Sequence, residues 1–168
     1  MSAQALQHGN INLQTNTKVT SISSSPTACG YWLVQTDRGI IKARKVVVAS
    51  NSYTPAILPE YRDQIIPYRA VACHIKAKGP TPLLVNTYAL RFKDWDFDYL
   101  IPRPDGSIIV GGARSAYFRD KDAWYNNTND DEVIEAAREY FRGYVQRNFR
   151  GWESSDAEVT EIWTGSEY

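Results

Sequence analysis

The first half of the chain alternates short apolar runs with turn-forming residues, which is the pattern of strands and not of helices. Ile11 and Leu13 alternate with polar neighbours, and Val19 and Ile22 mark a second short strand. Residues 23–30, rich in Ser, read as a loop. Residues 31–36 and 40–43 then face each other across Asp37, Arg38 and Gly39, a short glycine-containing turn suited to a hairpin. Val46, Val47, Val48 and Ala49 are continuously apolar, which predicts a strand covered on both faces. Pro55 and Pro59 keep the next stretch from forming a long helix.

Residues 65–77 predict a long strand starting near Pro67. Alternation puts Tyr68, Ala70, Ala72, His74 and Lys76 on one face, and Arg69, Val71, Cys73 and Ile75 on the other. Residues 83–92 predict another strand, with Tyr88, Leu90 and Phe92 on one face. The clearest hairpin joins 97–102 to 107–112, because Pro104, Asp105 and Gly106 supply turn chemistry between two apolar runs. One main amphipathic helix is predicted over 130–150, capped by Asn129 or Asp130 and stopped by Gly151. Its early acidic residues and later arginines complement the helix dipole, and Val133, Ile134, Ala137, Phe141, Tyr144 and Val145 form its buried stripe. Residues 159–164 read as a last strand. The fold class expected is α+β, with a mixed β-sheet and this one helix.

Composition narrows the function. The chain is 43% hydrophobic and 23% charged, within the globular range. Nineteen basic and nineteen acidic residues balance to zero, which argues against a nucleic-acid surface. No apolar run approaches the ~20 residues of a membrane span, and residues 1–10 lack a signal-peptide pattern. The expectation is a soluble, intracellular, cytoplasmic protein. Cys29 and Cys73 have no metal-ligand spacing and read as two free thiols. Asn126 opens a glycosylation sequon that only a secreted protein would use.

The residues capable of chemistry are few. Asp94, Asp96 and Asp98 alternate with Trp95, Phe97 and Tyr99, so a strand there carries three carboxylates on one face and three aromatics on the other. An EF-hand counted from Asp94 needs Gly sixth and Glu twelfth, but Tyr99 and Asp105 stand there. A solvated acidic edge is the default reading, and a glycosidase carboxylate pair is the minor alternative. His8 lies near the terminus, and His74 reads as a packed or surface strand residue. No Gly-x-Ser-x-Gly nucleophile and no glycine-rich phosphate loop occurs. Gly111 and Gly112, ending an apolar strand, permit a close approach by another backbone or a flat ligand, or else mark a bulge. Arg69, Arg103 and Arg114 lie in or beside predicted strands, where a guanidinium could clamp a carboxylate.

The order of these pieces resembles the FAD-dependent oxidoreductases of the D-amino-acid oxidase, sarcosine oxidase and glycine oxidase group. Residues 15–22 (TNTKVTSI) resemble the strand bordering the adenine end of FAD, and 32–54 resemble the hairpin, buried strand and flavin-side turn. Residues 65–70 (IIPYRA) are similar to the crossing into the substrate domain. The stretch YLIPRPDGSIIVGG (99–112) is similar to the substrate-domain hairpin, and IWTG (162–165) to the return to the FAD domain. Ser50 to Thr54 look most like fungal members of the group. The resemblance implies FAD as cofactor and oxidation of a C–N bond in a small-molecule amine or amino acid, with hydride passing to the flavin. It places Val19, Ala49, Ser50 and Asn51 near the cofactor, and Arg69, Tyr99 and Arg103 on the substrate side, and it names no catalytic acid or base.

The same resemblance divides the chain into a partial FAD-binding domain (1–66), a substrate-binding sheet domain (67–158) and a return segment (159–168). Relatives open with a strand and G-x-G-x-x-G, which this sequence lacks, so the chain reads as a fragment truncated at both ends. The alternative expectation is a non-catalytic β-rich module that binds a small ligand or partner without flavin.

Overall fold

A computed structural model describes Gly9 and residues 11–167. The predicted His8 position lies outside the described residues. The chain forms two compact units, Met1–Asp63 and Gln64–Tyr168.

In the first unit β1 (Val19–Ile22), β2 (Trp32–Thr36) and β3 (Gly39–Ala43) form an antiparallel sheet in that order. The β2–β3 hairpin closes on Asp37 and Arg38, with Thr36 opposite Gly39. The Thr36 hydroxyl donates to the Gly39 carbonyl at 2.8 Å and accepts from the Arg38 N–H at 3.2 Å. Gly39 itself holds φ +135°.

Two expected strands of this unit do not form. Residues 11–15 are extended without a ladder, and Ile11 and Leu13 are exposed. Residues 46–49 also lack a ladder, and Val47 is 89% exposed. Apolar sequence favours a strand only where a neighbour supplies hydrogen bonds and cover. Among the described residues no strand lies beside 46–49. The chain then turns through a 3₁₀ turn (Asn51–Tyr53) into α1 (Thr54–Ile57), with Pro55 in its first turn.

The second unit is a five-stranded sheet built from β4 (Tyr68–Lys76), β5 (Tyr88–Arg91), β6 (Phe97–Pro102), β7 (Ile108–Gly112) and β8 (Glu158–Glu167). The order is β5-β6-β7-β4-β8, and every pairing is antiparallel. Residues 158–167 therefore pair along the whole of β4. The α+β expectation holds, with two antiparallel sheets and short helices.

The predicted alternation in β4 is realised except at Ala72, which is buried on the face that is otherwise half-buried or exposed. Arg69, Val71, Cys73 and Ile75 are buried, whereas Tyr68, Ala70 and His74 are half-buried and Lys76 is exposed. Val71, Cys73 and Ile75 pack with Leu100 and Val110 beneath Ala137, Phe141, Tyr144 and Val145. Fully burying side chains such as Phe141 and Tyr144 contributes about 1.5–3 kcal/mol each, and both are at most 1% exposed. The opposite sheet face is open, and Phe97, Ile101 and Trp163 are all 40% or more exposed.

The long helix predicted over 130–150 is two short ones. α2 (Arg114–Tyr117) and α3 (Lys121–Trp124) precede them, and α4 (Glu135–Phe141) and α5 (Tyr144–Asn148) replace the single element. Gly143 breaks it at φ +62°, a conformation that glycine adopts without strain. The Arg147 guanidinium donates to the carbonyls of Tyr140 and Arg142, which the break leaves without helical partners. Helix α4 also starts later than predicted, after Ile134, because Asn129 turns locally to bond the Asp131 N–H. Among the described residues no helix is long and apolar enough to cross a membrane.

Candidate functional site

The second unit carries a pocket of about 120 Å³ where β4, β6 and β7 meet the segment that follows Gly112. Tyr68, Trp95, Phe97, Tyr99, Tyr117 and Trp124 supply its rings, and Arg114 and Glu167 supply opposite charges. Gly112 (φ +135°) and Ala113 (φ +60°) turn the chain out of β7, so that α2 begins at the pocket edge with Arg114.

Asp98 fixes that turn. It is fully buried and accepts hydrogen bonds from the Ala113 N–H at 2.8 Å and from the Tyr140 and Tyr144 hydroxyls at 2.7 Å each. Burial first and the Asp98 hydrogen bond second push both phenols well above the ordinary tyrosine range. The adjacent glycines make room for these side chains. A Cβ on Gly111 would fall inside the Tyr99 ring, and one on Gly112 would strike the Asp98 carboxylate. The close approach expected at Gly111 and Gly112 is thus made by side chains of β6.

The alternation of carboxylates and aromatics along 94–99 is present, but the solvated acidic edge is not. Asp96 and Asp98 are 3% and 0% exposed, and only Asp94 stands in solvent. The acidic face of β6 is the one covered by α4 and α5, where tyrosines satisfy Asp98. Tyr140, in α4, and Tyr144, in α5, stand four positions apart across the Gly143 break, and that spacing was the available signal for the partnership.

The three residues assigned to the substrate side occupy different places. Tyr99 lines the pocket with its ring over Gly111, and burial with the nearby Glu167 charge raises its phenol pKa. Arg69 is 5% exposed, and its guanidinium donates to the carbonyls of Ala123 (3.0 Å) and Glu132. It lines the pocket beside Tyr68 and Ala70 while holding the 123–132 segment through these two bonds. Arg103 is set apart. It sits in the β6–β7 turn, its N–H bonded to the Ser107 carbonyl and its side chain 4.0 Å from Asp105. Four residues of strand separate it from Tyr99, about 13 Å. It lines a different depression with Pro82, Leu84 and Trp152.

Arg114, read from sequence beside Arg69 and Arg103 as a possible carboxylate clamp but given no substrate-side role by the resemblance, lines the pocket together with Arg69. Its guanidinium lies 5.1 Å from the Phe118 ring centroid and 5.4 Å from that of Trp124. No carboxylate pairs with it among the described residues. Glu167, near the end of β8, accepts the Tyr68 hydroxyl at 2.7 Å. Burial and that bond raise the Tyr68 phenol to about 12.

In the first unit Val19 opens β1 half-buried and Ala49 is exposed. The Ser50 hydroxyl meets that of Thr54 at 3.0 Å, and Asn51 holds φ +50°. Ser52 is 3% exposed, and its hydroxyl has no hydrogen-bond partner. Helix α1, which continues this turn, lies beside β1. A polar turn with an unspent buried hydroxyl, next to the strand carrying Val19, fits one edge of a dinucleotide. The sequence holds no glycine-rich pyrophosphate loop to complete it. No cluster of three metal-ligating side chains occurs among the described residues.

Solved structures identify this architecture. A glycine oxidase from Bacillus cereus ATCC 14579 superposes with a TM-score of 0.67 at 16% identity, over 98% of this chain and 41% of its own. NikD, described as an unusual amino acid oxidase essential for nikkomycin biosynthesis, gives 0.65 at 15% identity over 97% and 41%. An L-proline dehydrogenase from P. horikoshii gives 0.62 at 19% identity over 98% and 41%. The fold is that of part of an FAD-binding oxidoreductase, and the chain spans about two fifths of the length of these structures. No curated protein sequence matches the chain. Residues 1–167 match the FAD dependent oxidoreductase (DAO) family, and the chain belongs to that family.

Proposed function

We propose that the chain is the substrate-side portion of an FAD-dependent oxidoreductase acting on the C–N bond of an amine or amino acid. The observation that carries this reading is the pocket in which Arg114 and Glu167 stand among six aromatic rings. Opposite charges held between apolar walls suit a small zwitterion. The flavin, when bound, supplies the acceptor for the hydride leaving the carbon that bears nitrogen. Val19, Ala49, Ser50 and Asn51 are the residues proposed to line its adenosine and flavin-side edges. The side chains of the pocket bind and orient the substrate. Arg114 takes an acid group in a charge-assisted hydrogen bond, Glu167 and the Tyr99 hydroxyl face the amine end, and the rings keep water out. Arg69 lines this site and also fixes the segment that carries Trp124.

The test is the absorption spectrum of the purified chain after incubation with FAD and gel filtration, followed by anaerobic bleaching on an amine and amino-acid panel. Retained flavin bands that bleach with an amino acid are the expected result. A folded chain that retains FAD but is bleached by no amine or amino acid defeats the C–N oxidation reading, and one that never retains FAD favours a ligand-binding module without flavin.

A further inference from the structure

Two rings of the pocket, Trp95 and Trp124, are the ends of an aromatic ladder whose middle ring is Phe118. Trp95 and Phe118 lie 5.1 Å apart at 32°, and Phe118 and Trp124 lie 5.4 Å apart at 20°. This ladder is half open to solvent, with Trp95 44% and Phe118 40% exposed. Arg114 lies over two of its rings and is held there without an anionic partner among the described residues. The two ends of the ladder, Trp95 and Trp124, line the pocket, Phe97 and Tyr99 on β6 form another wall, and Arg69 and Glu167 stand in the same pocket.

Size decides what the walls can hold. An apolar cavity of about 150 Å³ takes one benzene ring. At about 120 Å³ and open on one side, this pocket has room for a single ring with its polar end emerging, and not for a stack of rings or a polymer. Offset stacking on the indole and phenol faces rewards a planar ring by about 0.5–1.5 kcal/mol beyond area burial, which a branched aliphatic side chain of equal volume does not collect. The charges then set the polar end. Arg114 attracts an acid and Glu167 an ammonium.

Resting on the substrate-site reading above, we propose that this pocket selects amino acids with a single-ring aromatic side chain. Trp95, Phe97 and Trp124 recognise the ring, Arg114 the carboxylate and Glu167 the amine. Glycine and other small amines lack the group that fills the walls.

Isothermal titration of the full 168-residue chain with both enantiomers of phenylalanine, and with leucine, glycine, 3-phenylpropionate and phenethylamine, tests this without flavin or turnover. Phenylalanine should bind saturably and at least several-fold tighter than leucine, with glycine undetected. Arg114→Ala should weaken phenylalanine and phenylpropionate about tenfold, the size of one charge-assisted hydrogen bond, and leave phenethylamine unchanged. Arg114→Lys should recover part of that loss, which a folding defect would not allow. Glu167→Gln should show the converse preference. Equal affinity for leucine and phenylalanine, insensitivity to Arg114→Ala, or no saturable binding each overturns the proposal. Phenylalanine binding in a chain that never reduces flavin would leave it standing while the oxidoreductase reading fails.

Discussion

At the scale of single residues, Asp98 shows how a charged side chain becomes interior. Its carboxylate serves two phenols and one backbone N–H. Replacing it with Ala leaves the buried Ala113 N–H and Tyr144 hydroxyl without an acceptor, each costing on the order of 1–3 kcal/mol, and frees the half-buried Tyr140 hydroxyl. Urea denaturation of Asp98→Ala should therefore show a loss of several kcal/mol, and Asp98→Asn, which retains one acceptor oxygen, a smaller one. Gly112→Ala should be worse than Gly111→Ala. Both strike a β6 side chain, but Tyr99 can swing into the open pocket, whereas Asp98 is locked and Gly112 also holds a left-handed φ. The two thiols should separate cleanly with a thiol reagent at neutral pH. Cys29 is exposed and reacts, whereas burial pushes the Cys73 thiol to about 12 and leaves it inert until the chain unfolds. The sequence announced the aromatic face of 95–99 through its strict alternation. It concealed the fate of the acidic face, because alternation says which residues share a side and not what covers it.

At the scale of elements, most strands of the second unit were legible from an alternating pattern beside a marked turn, as at Pro104 to Gly106, but the strand expected over 83–92 forms only over Tyr88–Arg91, and Leu83 and Val85 are exposed. The helix was legible only as a buried stripe. Phe141, Tyr144 and Val145 keep their places in the core whether or not the helix is continuous, so the stripe hid the break at Gly143. Gly143→Ala tests that break. A Cβ there meets nothing closer than 3.5 Å, so the cost is conformational alone, about 1–2 kcal/mol for a left-handed alanine. A midpoint shift of that size in urea, with an unchanged slope, is the expected outcome. Arg69 belongs to this scale as well. Arg69→Lys removes the fork that reaches the carbonyls of both Ala123 and Glu132. Hydrogen exchange should accelerate across residues 121–134, with the β4–β7 ladder unaffected. An arginine read from sequence as a ligand clamp here lines the pocket and also spends two of its donors on backbone carbonyls, which no spacing rule foretells, while its Nε is buried without a partner.

At the scale of the whole molecule, the α+β class and family were legible in the order of weak motifs, since each hairpin occupies its expected place. The unladdered residues 46–49 were not, because a covered strand is a property of its neighbours. Alkali should probe the assembled core. Tyr68 and Tyr117 are raised to about 12, mainly by burial, and Cys73 likewise. A group whose folded pKa is raised holds its proton more tightly when folded. Its contribution is complete below the unfolded value, near 9 for the thiol and 10 for the phenols, and is lost as pH climbs toward 12. Denaturant midpoints measured from pH 7 to 11 should be flat at first and fall beyond about 9. The run from Val46 to Ala49 carries a different consequence, for the behaviour of the protein at high concentration. Four apolar residues outside any ladder, with Val47 nearly bare, offer an edge on which a second molecule can pair. Light scattering of Val47→Lys should show slower growth of large particles than the parent chain, at an unaltered folding midpoint.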